Sequence, residues 1–215
     1  MDNQNTYHSQ TAKLIATVVQ NMPEMPADVM QGWIENPMSI KKALKEALCP
    51  PKQIPNLKVW KTIKLGTGLK TAKDFRKALK KSGNRIGDWG DDILGQPAFT
   101  VSKSEVEVDL VNISVAELGF KDGATRKDIY DRALELGLQL CPAEVGPQLR
   151  IQYADQPKGE WLRIAMEPIA DSDGLLNVFD VAYGRDGRWL GGSHGRPDDF
   201  WGGDNRFVFL RSKSS

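Results

Sequence analysis

Ten consecutive residues, Cys141-Pro142-Ala143-Glu144-Val145-Gly146-Pro147-Gln148-Leu149-Arg150, gather a thiol, a carboxyl, an amide and a guanidinium around two prolines and a glycine. Prolines and a glycine hold such a segment in shape at low entropic cost, as a binding or catalytic site requires. A cysteine beside an imidazole makes a nucleophilic pair, and His194 is the histidine available to Cys141, the other being His8. A candidate site loop therefore comprises Glu144, Gln148 and Arg150, with Trp161 and His194 completing it. Two features weigh against catalysis there. Cys141 follows the apolar positions Leu138 and Leu140, so it is expected to point into the core, as cysteine usually does. Arg150 reads as the opening of a strand in which Ile151 and Tyr153 turn inward. Its guanidinium is then expected near the surface, with Glu144 or Glu160 in reach.

The second chemical feature is charge. Residues 41–85 carry 14 Lys and Arg against Glu46 and Asp74, a balance of +12 inside a chain whose net charge is +1. Residues 1–40 balance to −3 and residues 86–215 to −8. Such asymmetry points to a polyanionic partner or to one part of the chain docking on another. Lys61, Lys64, Lys70, Lys73, Lys77, Lys80 and Lys81 surround Trp60 and Trp89, and Lys73, Lys77, Lys80 and Lys81 share one helical face. This is a phosphate-neutralising surface for a nucleic acid, or a docking surface for an acidic protein. The opposing reading is a solvated lysine face, favoured by the scarcity of arginine, the better phosphate fork.

Other motifs fall short of a site. Asp171, Asp173 and Gly174 resemble the start of a calcium loop, but Ala182 stands where the bidentate glutamate belongs. His194 with Asp198, Asp199 and Asp204 makes a weak divalent-ion set, and acidic loop residues are usually just solvated. Gly66-Thr67-Gly68 with Lys70-Thr71 lacks phosphate-loop spacing. Two cysteines, Cys49 and Cys141, form no C-x-x-C pair. No metal and no cofactor is expected. The polar N-terminus lacks the features of a signal peptide, and no apolar run approaches a membrane span. With free cysteines, these features predict a cytoplasmic protein with no membrane partner.

The elements that must position these residues change character along the chain. After a disordered lead of ten residues, helical spacing covers Leu14 to Val19, Ala27 to Ile34 and Met38 to Leu48. Cys49-Pro50-Pro51 through Pro55 is a stiff linker, which divides a helical unit over 1–50 from a main domain over 56–211. Val59 to Ile63 reads as a short strand or as an extended entry into Gly66-Thr67-Gly68. Thr71 with Asp74 and Thr125 with Asp128 are helix-opening pairs, and Ile86, Trp89 and Ile93 lie at helical spacing. Glu105 to Leu110 alternates as a half-buried strand does. Ser114 to Leu136 faintly resembles a helix-turn-helix, but Asp128, Asp131 and Glu135 cancel Arg126, Lys127 and Arg132. Everything after Leu149 reads as an antiparallel β meander with turns at Asp171–Gly174 and Arg185–Gly187.

Long motifs carry a resemblance as well. They are Trp60-Lys61-Thr62-Ile63-Lys64-Leu65-Gly66-Thr67, Ile93-Leu94-Gly95-Gln96-Pro97-Ala98-Phe99, the segment Leu140 to Arg150, and Gly159-Glu160-Trp161 with Met166-Glu167-Pro168-Ile169. From Trp60 to Phe209 the chain resembles a widespread uncharacterised family of small bacterial proteins. The resemblance implies a stand-alone module and lends no catalytic residue.

These observations predict an α+β protein, with an N-terminal helical section followed by helices packed on a C-terminal antiparallel meander. The expected function is a non-enzymatic binding module whose basic surface engages a nucleic acid or an acidic protein. The alternative is a small hydrolase or transferase built on the loop from Cys141 to Arg150 and His194. Binding ranks first because no complete nucleophile or acid–base set stands in the sequence.

Overall fold

A computed structural model describes residues 3–48 and 57–212. The chain divides into two compact units, Met1–Gln53 and Ile54–Ser215. The first holds helices α1 (Asn3–Gln20), α2 (Ala27–Glu35) and α3 (Pro37–Leu48), with α2 and α3 in mutual contact. Helix α1 begins at Asn3, where a disordered lead was expected. The expected linker from Cys49 to Pro55, and with it Cys49 and Lys52, lies outside the described residues, as do the side chains of Lys42 and Lys45.

The second unit is an α+β fold around a mixed sheet of nine strands. In chain order it contains β1 (Lys61–Leu65), α4 (Ala72–Lys81), β2 (Arg85–Ile86), α5 (Asp88–Gly95) and β3 (Val106–Ser114). There follow β4 (Ala124–Thr125), α6 (Arg126–Glu135), β5 (Leu138–Gln139), α7 (Val145–Gln152), β6 (Trp161–Ile164) and β7 (Ile169–Ala170). The chain closes with β8 (Leu176–Gly184), β9 (Gly187–His194), β10 (Phe200–Trp201) and β11 (Arg206–Arg211). The sheet runs β1-β3-β11-β6-β8-β9-β2, with β5 on β11 and β7 on β8; β10 and β4 form a separate pair.

The meander expectation is corrected in two respects. Residues 145–152 are helix α7, so the β region starts later than Leu149. Strand β11 runs parallel to β6, and β2 runs parallel to β9, so the sheet is mixed. The two hairpin turns stand where expected. Asp171 Oδ1 accepts from the backbone N–H groups of Asp173 and Leu175 between β7 and β8, and β8 pairs with β9 down to Gly184 and Gly187.

Local chemistry explains the helices that position the rest. Thr71 and Asp74 exchange side-chain-to-backbone hydrogen bonds as a full capping box, which opens α4. That helix buries Phe75 and Leu79 against the sheet, worth about 3–6 kcal/mol together, and turns its lysines outward. Thr125 caps α6 by accepting from Asp128 N, and Ile129, Tyr130 and Ala133 are buried. No helix-turn-helix results, because the segment after Ser114 makes only turns before Gly119. One apolar cluster collects α4, α5 and α7 with Leu162, Phe179, Val181 and Val208; a second collects α6 with Val111, Ile113, Phe207 and Phe209. Strand β11 serves both clusters, which is why its sequence is nearly continuous in apolar residues.

Candidate functional site

The register of three strands builds a groove. Trp161 of β6 stands opposite Ala182 of β8, which stands opposite Trp189 of β9. One row along, Arg163, Asp180 and Gly191 are opposite one another in the same strands. Side chains of directly opposed residues share a sheet face, so two tryptophans rise on the outer strands on either side of Ala182, and in the next row Asp180 is flanked by Arg163 on β6. The N-terminal turn of α5 closes one side with Gly87, Asp88 and Trp89. The cleft has a volume of about 550 Å³, within the usual range of ligand sites. Its lining adds Glu160, Tyr183 and glycines, and includes no lysine, arginine or histidine.

Glycine makes the close approaches possible. A Cβ on Gly191 would lie 2.4 Å from Asp180 Oδ1, and one on Gly192 would lie 2.8 Å from Trp89 Cβ. The bare backbone thus leaves room for the floor carboxyl and lets α5 settle on β9.

The aromatic walls are held in place. Trp189 Nε1 donates to Asp186 Oδ1 (3.2 Å), while Asp186 Oδ2 accepts from Arg85, whose guanidinium lies 5.3 Å from the Trp189 ring. The Trp161 side chain lies beside Asp180 and draws its carboxyl pKa down. Trp161 and Trp89 nonetheless remain 53% and 49% exposed, far more than residues of their size need to be in a folded domain.

Asp180 is buried on the floor, where its Oδ2 accepts from Ser193 Oγ at 2.7 Å. Burial pushes its carboxyl above the ordinary aspartate range, against the opposing pull of the Ser193 hydrogen bond, of Trp161 and of nearby Arg163. Between the unfolded value of about 3.9 and the raised folded value, the native state holds a proton that the unfolded chain has lost. Stability therefore falls as pH rises through that interval. Asp180→Asn removes the titration, so its melting temperature should gain on the wild type as pH rises from about 4 and then level off. Thermal melts across pH 3.5 to 8 test this; a gap independent of pH means that water reaches the carboxyl.

The residues picked out in the loop from Cys141 to Arg150 lie behind this cleft. Arg150 was expected near the surface, but it sits in α7 with 0% of its area exposed. Its Nη2 donates to Tyr153 O (2.6 Å), and Nη1 donates to Gln156 Oε1 and, at 3.5 Å, to the carbonyl of Ala182 on the cleft floor. Burial, and secondarily Arg188, lower its pKa to about 10. Gln156 in turn donates to the carbonyls of Glu160 and Val181. Tyr153 donates to Glu160 Oε2 at 2.9 Å, orienting a carboxyl that lines the cleft. Neither Glu144 nor Glu160 forms an ion pair with Arg150 among the described residues.

Glu144 and Gln148 are structural in their contacts. The Glu144 oxygens accept from Gly66 N and Ser102 N, each at 2.7 Å, and Gln148 Nε2 donates to Thr67 Oγ1 and Glu144. Cys141 points into the core, with Sγ 3.4 Å from Val208 O, and burial raises its thiol far from nucleophilic range. His194 is exposed at the end of β9, its ring 5.2 Å from that of Trp89. Cys141 and His194 have different neighbours, so no thiol–imidazole pair forms. Of the five loop-centred candidates, Trp161 lines the cleft and His194 touches one of its walls.

The basic set divides. Lys61 pairs with Asp155, and it lies 4.6 Å from the Tyr153 ring; Trp60 packs edge-on against Tyr153. Lys64 pairs with Glu105. Both acids come from the acidic part of the chain, so part of the +12 balance is answered internally, at about 0–1 kcal/mol per exposed pair. The side chains of Lys70, Lys73, Lys77, Lys80 and Lys81 take part in no ion pair among the described residues and are exposed. Among the described residues there is also no group of three metal-ligating side chains, and no helix long and apolar enough to cross a membrane.

Trp161 stands out in the sequence as a site residue, whereas Trp189, Asp180, Ala182 and Glu160 do not stand out as a set, and Trp89 is read there among the lysines and at helical spacing with Ile86 and Ile93. The one local signal is Trp189-Leu190-Gly191-Gly192, an aromatic followed by paired glycines inside a strand, which marks close approach of another group. No family model, curated protein or solved structure matches this chain.

Proposed function

We propose that the protein is a non-enzymatic binding module and that the cleft between Trp89, Trp161 and Trp189 is its recognition site. The observation that supports this best is a pair of indoles facing each other across the small residue Ala182, Trp161 half-exposed and Trp189 partly buried and tied to Asp186 by its side-chain hydrogen bond. Rigid aromatic walls present apolar area at little entropic cost on binding. A lining with Asp88, Glu160 and Asp180 and no basic residue suits a neutral or cationic organic ligand and disfavours an anion. The floor carboxyl is engaged by Ser193, and Glu160 by Tyr153, a pattern of orientation rather than proton transfer.

Thermal-shift screening of a mixed library of neutral, cationic and anionic small molecules tests the reading. Compounds that raise the melting temperature of the wild type should lose their effect in Ala182→Leu, which fills the floor between the two indoles. A library that yields no shift dependent on Ala182 sinks it.

A second reading is supported by the five unpaired lysines on and before α4. They form a surface for a nucleic acid or an acidic protein, separate from the cleft. Five phosphate contacts would weaken duplex binding by about 500-fold between 50 and 200 mM salt. Titration of a fluorescein-labelled duplex at both salts, with Lys77→Glu/Lys80→Glu as control, tests it; absence of binding at 50 mM removes nucleic acid as the partner.

A further inference from the structure

We propose that the ligand of the cleft presents a quaternary ammonium group, seated between Trp161 and Trp189 above Asp180. This inference rests on the reading of the cleft as a recognition site and adds the chemistry of the occupant.

Three observations carry it. The first is composition. Three tryptophans and Tyr183 supply ring faces, while Asp88, Glu160 and Asp180 supply carboxyl groups, and no lining residue is basic. A methylated ammonium offers apolar methyl groups and a diffuse positive charge, and it has no N–H donor to satisfy. Indole faces attract such a charge within about 6 Å of the ring centroid, tryptophan best of the aromatic residues.

The second is spacing. Adjacent strands lie about 4.8 Å apart, so Trp161 and Trp189, separated by Ala182 on the middle strand, stand on backbones about 9.6 Å apart. A group midway lies about 5 Å from each of these backbones, the range over which a ring attracts a cation. A flat ring stacked on both walls needs only about 7 Å between them, at ordinary contact distances of about 3.5 Å. Backbones so spaced leave room between the side chains for a rounded head group.

The third is the floor. Ala182 leaves the space between the indoles open. Asp180 lies in the next row of the register, with room secured by Gly191. Its carboxyl borders the space between the indoles, flanked on β6 by Arg163. The same molecule already uses three of these rings as cation platforms, since Arg85 lies 5.3 Å from Trp189, Arg163 lies 5.7 Å from Trp161 and Arg188 lies 4.7 Å from Tyr183. The positive end of α5 borders the cleft, and Asp88 and Asp91 in its first turn offset it.

The experiment is isothermal titration of the full chain at pH 7.5 with four probes. They are choline, its neutral isostere 3,3-dimethylbutan-1-ol, a short peptide containing trimethyl-lysine, and methyl glucoside. Choline is expected to bind, and the isostere about tenfold or more weakly, the loss of one or more cation–π contacts. Trp161→Leu and Trp189→Leu, each checked by its melt, should weaken choline about tenfold; Asp180→Asn should weaken choline and spare the isostere. A trimethyl-lysine peptide that binds more tightly than choline assigns the head group to a modified protein, and the reverse assigns it to a small metabolite. Equal binding of choline and the isostere, or binding of methyl glucoside alone, overturns the ammonium inference while the cleft remains a recognition site. If no probe binds, the ammonium inference falls, and the Ala182-dependent library shifts decide the cleft independently.

Discussion

Replacing Arg150 by alanine is expected to destabilise the fold by about 3–5 kcal/mol. The guanidinium is buried and donates to three acceptors, Gln156 Oε1 and the carbonyls of Tyr153 and Ala182. Each buried acceptor left without its donor costs about 1–3 kcal/mol, and the vacated volume adds a cavity term. Against this stands relief of the desolvated charge, since no carboxylate pairs with Arg150 among the described residues. For a unit of this size the loss corresponds to a melting point about 10 °C lower. Arg150→Lys should recover only part of it, because one ammonium cannot fork between Gln156 and the Tyr153 carbonyl as a guanidinium does. Urea denaturation of the three proteins provides the measurement. A melting point within 1–2 °C of wild type for Arg150→Ala would mean that water reaches the side chain, returning Arg150 to the surface position that its sequence context suggests. Ala182 also forms the cleft floor, so the variant's remaining folded fraction should bind cleft ligands more weakly.

Arg150 illustrates why part of this structure is hidden from its sequence. Helices α4 and α6 announce themselves because Thr71–Asp74 and Thr125–Asp128 are local devices, legible within four residues. The turns at Asp171–Gly174 and Gly187 are equally local. Helix α7 is different: Val145 through Arg150 are all buried, so no polar face alternates with an apolar one and the 3.6-residue period vanishes. Gly146, a poor helix former, is there because Phe179 would lie 2.6 Å from a Cβ at that position. Pro147 is tolerated because it stands in the first turn, where no helical N–H is lost. The parallel pairing of β11 with β6 joins segments about forty residues apart, beyond any short pattern. The cleft is a cross-strand object too. Trp161, Ala182 and Trp189 become neighbours only once three strands are in register. Trp89 shares helical spacing with buried Ile93, yet it lies in the first turn of α5, where the helix leaves the core and meets the glycines of β9.

Glu144→Ala is the second substitution expected to have a large effect, again about 3–5 kcal/mol. Glu144 has 0% of its area exposed, and its carboxyl accepts from two backbone N–H groups, Gly66 and Ser102, which lie far from it in sequence. It therefore ties the loop after β1 and the loop before β3 to the start of α7. Alanine strands both donors and removes an acceptor of the Gln148 amide, and orphaned backbone donors are among the costliest buried groups. Gly66 cannot easily move toward another partner. It holds a φ of +64°, and any Cβ there would lie 2.1 Å from Ser104 O, so the turn is already fixed by close backbone contact. Glu144→Gln separates charge from shape. Its amide oxygen can satisfy one N–H, but its NH₂ group then faces the other donor, so most of the loss should remain. Hydrogen exchange gives the most local readout: the Gly66 and Ser102 amides should lose protection in Glu144→Ala well before the amides of β8 and β9 do. If those two amides exchange equally fast in wild type and variant, the carboxyl is not holding the loops. The stability of α7, and of the cleft floor it braces through Arg150, must then come from apolar packing by Val145 and Leu149.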